Sequence, residues 1–231
     1  AGLRNGSIWA NCMWLKGVVM KAHYNGLIPR NPFIQFHISP NVKEREYLTE
    51  DELKAVMTHE FADSKLAYIR DIFIFASFTA LSFVDIQELT NDNIVEVNGE
   101  KWILSKRHKT KVAFQVKLLD IPLQIVERYR PMQKDNRIFP DLNYWSICKP
   151  LKRMIRECGI TKSISFHCSR HGFATLALSK GMPIESVSRV LGHTNIVTTQ
   201  LYAKITTQKL DNDLTMFGDK LSKTFNGITM S

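Results

Sequence analysis

Residues 94–118 read IVEVNGEKWILSKRHKTKVAFQVKL, and they break the helical period of the sequence on either side. Ile94 to Val97, Trp102 to Leu104 and Val112 to Leu118 alternate or cluster their apolar residues as strands do. Asn98-Gly99 is a type I′ hairpin signal, because both central positions of that turn need positive φ. The spacing predicts a three-stranded antiparallel sheet.

Upstream, Thr49 and Glu52 form a capping box, with Leu48 and Leu53 at the two positions of a hydrophobic staple. A long apolar helix from about Lys65 to Leu81 follows, then a short one over Asp85 to Leu89. Downstream the chain returns to helices, capped near Asp141, ended near Gly159 and Gly181 and restarted after Pro183. The fold class is α+β, a mostly helical domain with a small sheet. Nearer the start, Ser7 can cap a helix carrying Ile8, Cys12, Leu15, Val19 and Ala22, with Gly26 placed to stop it. Residues 27–46, with Pro29, Pro32 and Pro40 and no sustained period, read as a crossing between domains. The organisation is therefore 1–35, a helical fragment; 36–46, a linker; and 47–231, a second domain. A start at Ala1, without methionine and beside an amphipathic helix, suggests a longer natural protein.

With 231 residues the chain can bury a good-sized core. Its 31 Lys and Arg against 22 Asp and Glu give a net charge of +9, which favours a polyanionic partner: nucleic acid or an acidic membrane surface. Cys12, Cys148, Cys158 and Cys168 form no CxxC pair, so free thiols are the better reading than a zinc ribbon or redox motif. The apolar run Ile72 to Val84 is too short to span a bilayer and contains Ser77, Thr79 and Ser82, so it reads as a core helix. Without an export leader, a cytoplasmic protein is expected.

The chemistry gathers near the end. His167, Arg170 and His171 lie at i, i+3 and i+4, neighbours on one helical face. Alone they could be satisfied surface or core groups, and no carboxylate or thiolate at suitable spacing completes a zinc site. Leu191-Gly192-His193 follows, with His193 22 residues after His171, and Tyr202 comes nine residues later in Thr-Thr-Gln-Leu-Tyr-Ala.

That order and spacing resemble the tyrosine recombinases of the phage-integrase family: His-x-x-Arg-His, then Leu-Gly-His, then a tyrosine on the following helix. Residues 47 to about 217 resemble the family's catalytic domain, and 1–35 resemble the last part of its core-binding domain. Ala80-Leu81-Ser82-Phe83-Val84-Asp85 resembles its first catalytic motif, and Lys109-Thr110 lies where it keeps a hairpin lysine; by itself Lys109 is one solvated charge among many. The resemblance implies that Tyr202 attacks a DNA phosphate to form a 3′-phosphotyrosyl link. It implies that Arg170 and His193 hold the phosphate, that His167 assists proton transfer and that Lys109 protonates the departing 5′ oxygen. Asp85 would orient its neighbours. No metal or other cofactor is implied.

The family normally has an arginine in the first motif, where this sequence has Ser82. A hydroxyl cannot replace that charge, and losing an arginine clamp in phosphoryl transfer costs on the order of 10³-fold in rate. Arg107, two residues before Lys109 and so on the same side of an extended hairpin, is the candidate substitute. A Ser82-type motif resembles that of integrases from integrative and conjugative elements of Bacteroides-type gut bacteria.

Between Lys101 and Leu119 there are five lysines, one arginine and no acid; from Lys149 to Arg170, six basic residues against Glu157. Such runs are either solvated faces or, flanking the site together, a phosphate clamp. Lys106, Lys111, Lys149, Lys152 and Arg153 are its candidate DNA-binding residues. Leu210, Leu214, Phe217, Leu221 and Phe225 recur at helical spacing, either packing on their own core or, as the resemblance implies, docking on a neighbouring protomer in a tetramer on two DNA sites. The expected partners are double-stranded attachment sites, Holliday junctions and an accessory DNA-bending protein, with no membrane, in a bacterial, nucleoid-associated setting. Two other readings are a type IB topoisomerase and a non-catalytic DNA-binding regulator silenced by Ser82.

Overall fold

The computed structural model describes residues 5–37, 39, 46–133, 135–203, 207–224 and 226, and the chain falls into two compact units, 1–45 and 46–231. Readings that rest on Ala1, Pro40 and Phe225 lie outside the described residues.

In the first unit, α1 (Asn5–Tyr24) is already helical at Asn5. Ser7 therefore sits inside the helix rather than capping it, since an N-cap needs extended dihedrals. The C-terminal end is as read: Gly26 takes φ +70°, and the Leu27 N–H reaches the Ala22 carbonyl at 3.0 Å.

The second unit opens with α2 (Glu50–Thr58). The Glu52 N–H donates to Thr49 Oγ1 at 3.3 Å, and the Thr49 N–H donates to the Glu52 carboxylate at 2.7 Å, completing the capping box. Next comes α3 (Ser64–Thr79), capped by Asp63, which accepts the Lys65 N–H at 2.9 Å. Ile69, Ile72, Phe73 and Phe75 bury this helix on most sides, which is why its sequence shows little amphipathic contrast. Truncating Phe73 or Phe75 to alanine would cost about 3–5 kcal/mol on that account. Where Ala80 adopts the left-handed conformation, φ +55°, the helix stops.

Helix α4 (Phe83–Gln87) begins two residues earlier than the period predicted, because Ser82 caps it in a box with Asp85. The sheet follows as β1 (Ile94–Val97), β2 (Glu100–Lys106) and β3 (Ala113–Lys117), antiparallel in that order. Val97 pairs with Glu100 across Asn98 and Gly99, at φ +52° and +77°, a type I′ turn. Ile103, Phe114 and Val116 enter the core.

Around α3 pack α2, α5 (Asp120–Tyr129), α6 (Tyr144–Glu157) and α7 (Cys168–Ser179). The cap of α6 is Asn143, whose Oδ1 accepts the Trp145 N–H at 2.9 Å, and not Asp141. Asp141 stands at φ +54°, outside the extended region an N-cap requires. Towards the C-terminal side the described residues form three more α-helices, α8 (Ile184–Leu191), the one-turn α9 (Val197–Gln200) and α10 (Thr207–Thr224). On α10, Leu210, Leu214, Phe217 and Leu221 are exposed, so the reading in which they pack on their own core does not hold. Among the described residues no helix is long and apolar enough to cross a membrane.

One further cluster fixes the functional region. Ala80, Ala174, Leu178, Val187 and Leu191 form a small core, with Tyr202 and Ala203 packed against it. It ties the end of α3, α7, α8 and the tyrosine segment into one body.

Candidate active site

Arg170 is the centre of the arrangement. His167 stands at the N-terminal cap of α7, which places Arg170 within the first turn, pointing at the end of α3. There its Nη1 donates to the Ala80 carbonyl at 2.8 Å, and its Nη2 donates to the Leu191 carbonyl. Ala80's left-handed backbone is what leaves that carbonyl available to another helix. Burial, and then the neighbouring charge of Arg107, pushes the Arg170 pKa down to about 10, against an upward pull from Tyr202 and Asp85.

A second guanidinium lies beside it. Arg107 follows the last residue of β2 and is buried, with Nη1 donating to Asp85 Oδ2 at 2.7 Å and Nη2 to the Val190 carbonyl. Its guanidinium carbon lies 4.1 Å from the centre of the Phe114 ring, and Nε is buried with no hydrogen-bond partner among the described residues. Burial lowers its pKa and Asp85 opposes the shift. Gly192 explains its own place in Leu-Gly-His: φ is +62°, and a Cβ there would stand 2.8 Å from Arg107 Nε.

Asp85 gathers this corner. Ser82 Oγ donates to its Oδ2 at 2.7 Å, and the His108 N–H donates to Oδ1 at 3.0 Å. Burial alone would raise the carboxyl pKa, but the His108 amide, the Ser82 hydroxyl and Arg107 outweigh it and hold the group below its usual range. Ser82 thus serves as a helix cap and a carboxylate partner. The Ser82 to Asp85 spacing was a readable capping signal that the missing arginine obscured.

His193 Nδ1 lies 2.8 Å from Oγ1 of the fully buried Thr199. Burial first, then the charges of Arg170, Arg107 and His167, push its pKa down to about 4. It is therefore neutral at pH 7. Tyr202 follows α9, its N–H bonded to the Thr199 carbonyl at 3.0 Å. The His171 ring centre lies 5.1 Å from that of Tyr202 and 4.8 Å from that of His167. The structure thus brings Tyr202, Arg170, His167, His193, Arg107, Asp85 and Ser82 into one neighbourhood. Sequence reasoning missed Thr199 and the carbonyls of Ala80, Val190 and Leu191, and gave His171 no role although its i+4 spacing from His167 was visible.

Other candidates lie elsewhere. Lys109 is exposed in the turn joining β2 to β3, as is Lys111 just beyond it, while Lys106 is exposed at the end of β2. Residues 108–110 form a turn, so the alternation that put Arg107 and Lys109 on one side of an extended hairpin does not apply: one is buried, the other exposed. Arg153, on α6, pairs with Asp63 at 3.4 Å and with Glu157 at 2.9 Å. Asp63 caps the start of α3 while Arg170 meets its end, about 25 Å away at 1.5 Å per residue. Arg153 therefore does not flank Arg170, and Lys149 and Lys152 share its shallow surface concavity with Arg156. Among the described residues no group of His, Cys, Asp and Glu could hold a metal ion.

Residues 46–209 match the phage integrase family. The chain belongs to the phage integrase family. The chain is similar to tyrosine recombinase XerA of Pyrococcus horikoshii, 32% identical over 177 residues, 71% of this chain and 58% of that protein. It is also similar to tyrosine recombinase XerC of Lactobacillus leichmannii, 26% identical over 200 residues, 80% of this chain and 67% of that one. The chain thus spans just over half the length of XerA. In fold it is similar to the Tn1549 transposon integrase in complex with a circular intermediate DNA, with TM-score 0.78 and 17% identity, over 93% of this chain and 80% of that one. XerH site-specific recombinase bound to palindromic difH gives TM-score 0.61 at 21% identity, over 74% and 52%.

Proposed function

We propose that this chain is the catalytic part of a site-specific DNA recombinase that breaks and rejoins strands through a 3′-phosphotyrosyl link at Tyr202. One observation carries the reading. The buried Asp85 carboxylate pairs with Arg107, while the buried guanidinium of Arg170 bonds two backbone carbonyls, so the two arginines carry one positive charge more than Asp85 balances among the described residues, beside a neutral His193 and a tyrosine. A phosphate diester supplies the missing anion.

In the reaction, the Tyr202 oxygen attacks phosphorus while the bond to the 5′ oxygen breaks, and the phenol proton leaves towards His171 and His167. Lys109, carried on the exposed turn, gives its proton to the departing 5′ oxygen. Rejoining is the reverse with a different 5′ strand, and the diester's energy is kept throughout. Arg107 stands in for the charge that Ser82 lacks: each guanidinium spends two of its five N–H groups on protein acceptors and has others for phosphate. Lys106, Lys109 and Lys111 hold the DNA backbone near the cut.

We infer further that it integrates and excises a mobile element, acting on attachment sites and Holliday junctions as a homotetramer, with an accessory DNA-bending protein, in the bacterial cytoplasm and nucleoid; the likeness to the Tn1549 transposon integrase with a circular intermediate DNA supports the mobile-element part. Exposed apolar residues on α10 suit docking on a neighbouring protomer, and Met13, Trp14, Leu15 and Val18, exposed on α1, suit a 1–35 fragment of a core-binding domain joined by a 36–46 linker to a 47–231 catalytic domain.

The test is covalent capture. Nicked suicide duplexes drawn from a random-sequence pool should yield a protein–DNA adduct that survives denaturation, and Tyr202→Phe should yield none. A wild-type chain that binds DNA but never forms the adduct fits the non-catalytic regulator instead.

A further inference from the structure

The proposed reaction leaves one buried polar contact of the site unexplained, that between Thr199 and His193. The Thr199 side chain is fully buried, and its Oγ1 lies 2.8 Å from His193 Nδ1. The buried helical hydroxyls of Ser77 and Thr79 turn instead to their own backbone: Ser77 donates to the Phe73 carbonyl at 2.8 Å and Thr79 to the Phe75 carbonyl at 2.7 Å. Thr199 sits in a helix of one turn and faces an imidazole.

The direction of that bond has a chemical consequence. A neutral imidazole has one N–H to place. If Nδ1 donated to Thr199, Nε2 would carry only a lone pair and repel a phosphate oxygen brought against it. If the Thr199 hydroxyl donates to Nδ1, the proton lies on Nε2, the ring nitrogen that this bond leaves available, in a group close enough to Arg170, Arg107 and His167 to feel their charges. Only the second arrangement adds a donor for the transition state. Thr199 also accepts the Tyr202 N–H on its carbonyl at 3.0 Å.

We propose that Thr199 is a positioning residue whose hydroxyl donates to His193 Nδ1, fixes the Nε2–H tautomer, and thereby aims an N–H at the phosphate. The role in cleavage rests on the recombinase reading; the tautomer does not. The same residue holds the nucleophile's backbone, so phosphate donor and attacking oxygen share one anchor.

Ring-nitrogen NMR of the histidine-labelled chain at pH 7, without DNA, reads the tautomer directly, with His193 assigned by its loss in His193→Gln. The wild type and Thr199→Ser should show a protonated Nε2 and a bare Nδ1. Thr199→Val, of similar shape without the hydroxyl, should move proton density to Nδ1, with unchanged signals from the other histidines showing that the fold is kept. Bare Nε2 in the wild type, or the same tautomer in Thr199→Val, overturns the proposal. On a captured suicide duplex, Thr199→Val should form adduct about 10- to 100-fold more slowly, as when a partner that orients a histidine is removed, at unchanged DNA affinity. Thr199→Ser should stay near wild type; an equally slow Thr199→Ser, or a fully active Thr199→Val, overturns the proposed part in cleavage. A wild type that forms no adduct overturns the recombinase reading and that part with it, whatever the tautomer.

Discussion

Replacing Gly192 by alanine tests the packing that holds Arg107. Left-handed backbone costs an L-residue about 1–2 kcal/mol by itself. The new methyl would also stand 2.8 Å from Arg107 Nε and 2.9 Å from Cγ, the middle of a buried side chain lying on Phe114 rather than a free end. Arg107 must then move off Asp85 and Val190. Removing one partner of a buried ion pair costs about 3–5 kcal/mol, and the Ser82 and His108 bonds that stay on Asp85 reduce this to about 2. The sum is about 3 kcal/mol for Gly192→Ala in the wild type. In an Arg107→Ala background only the backbone strain remains, about 1 kcal/mol. Urea unfolding of the four chains at pH 7.5 should therefore give an interaction energy near 2 kcal/mol between the two positions. Equal costs of Gly192→Ala in both backgrounds would refute the argument.

Two further outcomes follow from the site's charges. Arg107→Ala should slow adduct formation on the order of 10³-fold while leaving DNA affinity nearly intact, because an arginine clamp acts on the transition state; filter binding beside adduct kinetics checks this, and an active Arg107→Ala chain would return Arg107 to a structural role. His193 has its pKa lowered in the folded chain from 6.5 to about 4, so between those values the unfolded chain holds more protons on it and stability falls as pH falls. Urea midpoints from pH 7 to pH 4 should drop less steeply for His193→Asn than for the wild type; parallel curves would contradict the shift.

Local chemistry made most of the fold legible. Thr49 and Glu52 announce α2, the Asn98-Gly99 pair announces a type I′ hairpin, and Gly26, Gly159, Gly181 and Gly192 all take positive φ where helices end. Misreadings came where two residues compete for one role. Asp141 and Asn143 are both good caps, and only the turn geometry at Asp141 decides between them. Ser82 looked like an absence, although its spacing to Asp85 was already a capping signal. Of the site, the side chains were readable from their order. The Ala80, Val190 and Leu191 carbonyls that hold the arginines were not, because every residue has a carbonyl and only tertiary structure selects one. Proximity in sequence also misled: Arg153 is 17 residues from Arg170, yet it reaches the opposite end of α3.

The most direct test is a crystal structure of the chain with orthovanadate, a mimic of phosphorus under attack. We expect vanadate oxygens within hydrogen-bond reach of Arg107, Arg170 and His193 Nε2, with the Tyr202 oxygen at the apical position. Vanadate seated on the α6 lysines instead, or bound at Arg170 with Tyr202 and Arg107 both turned away, would contradict the account.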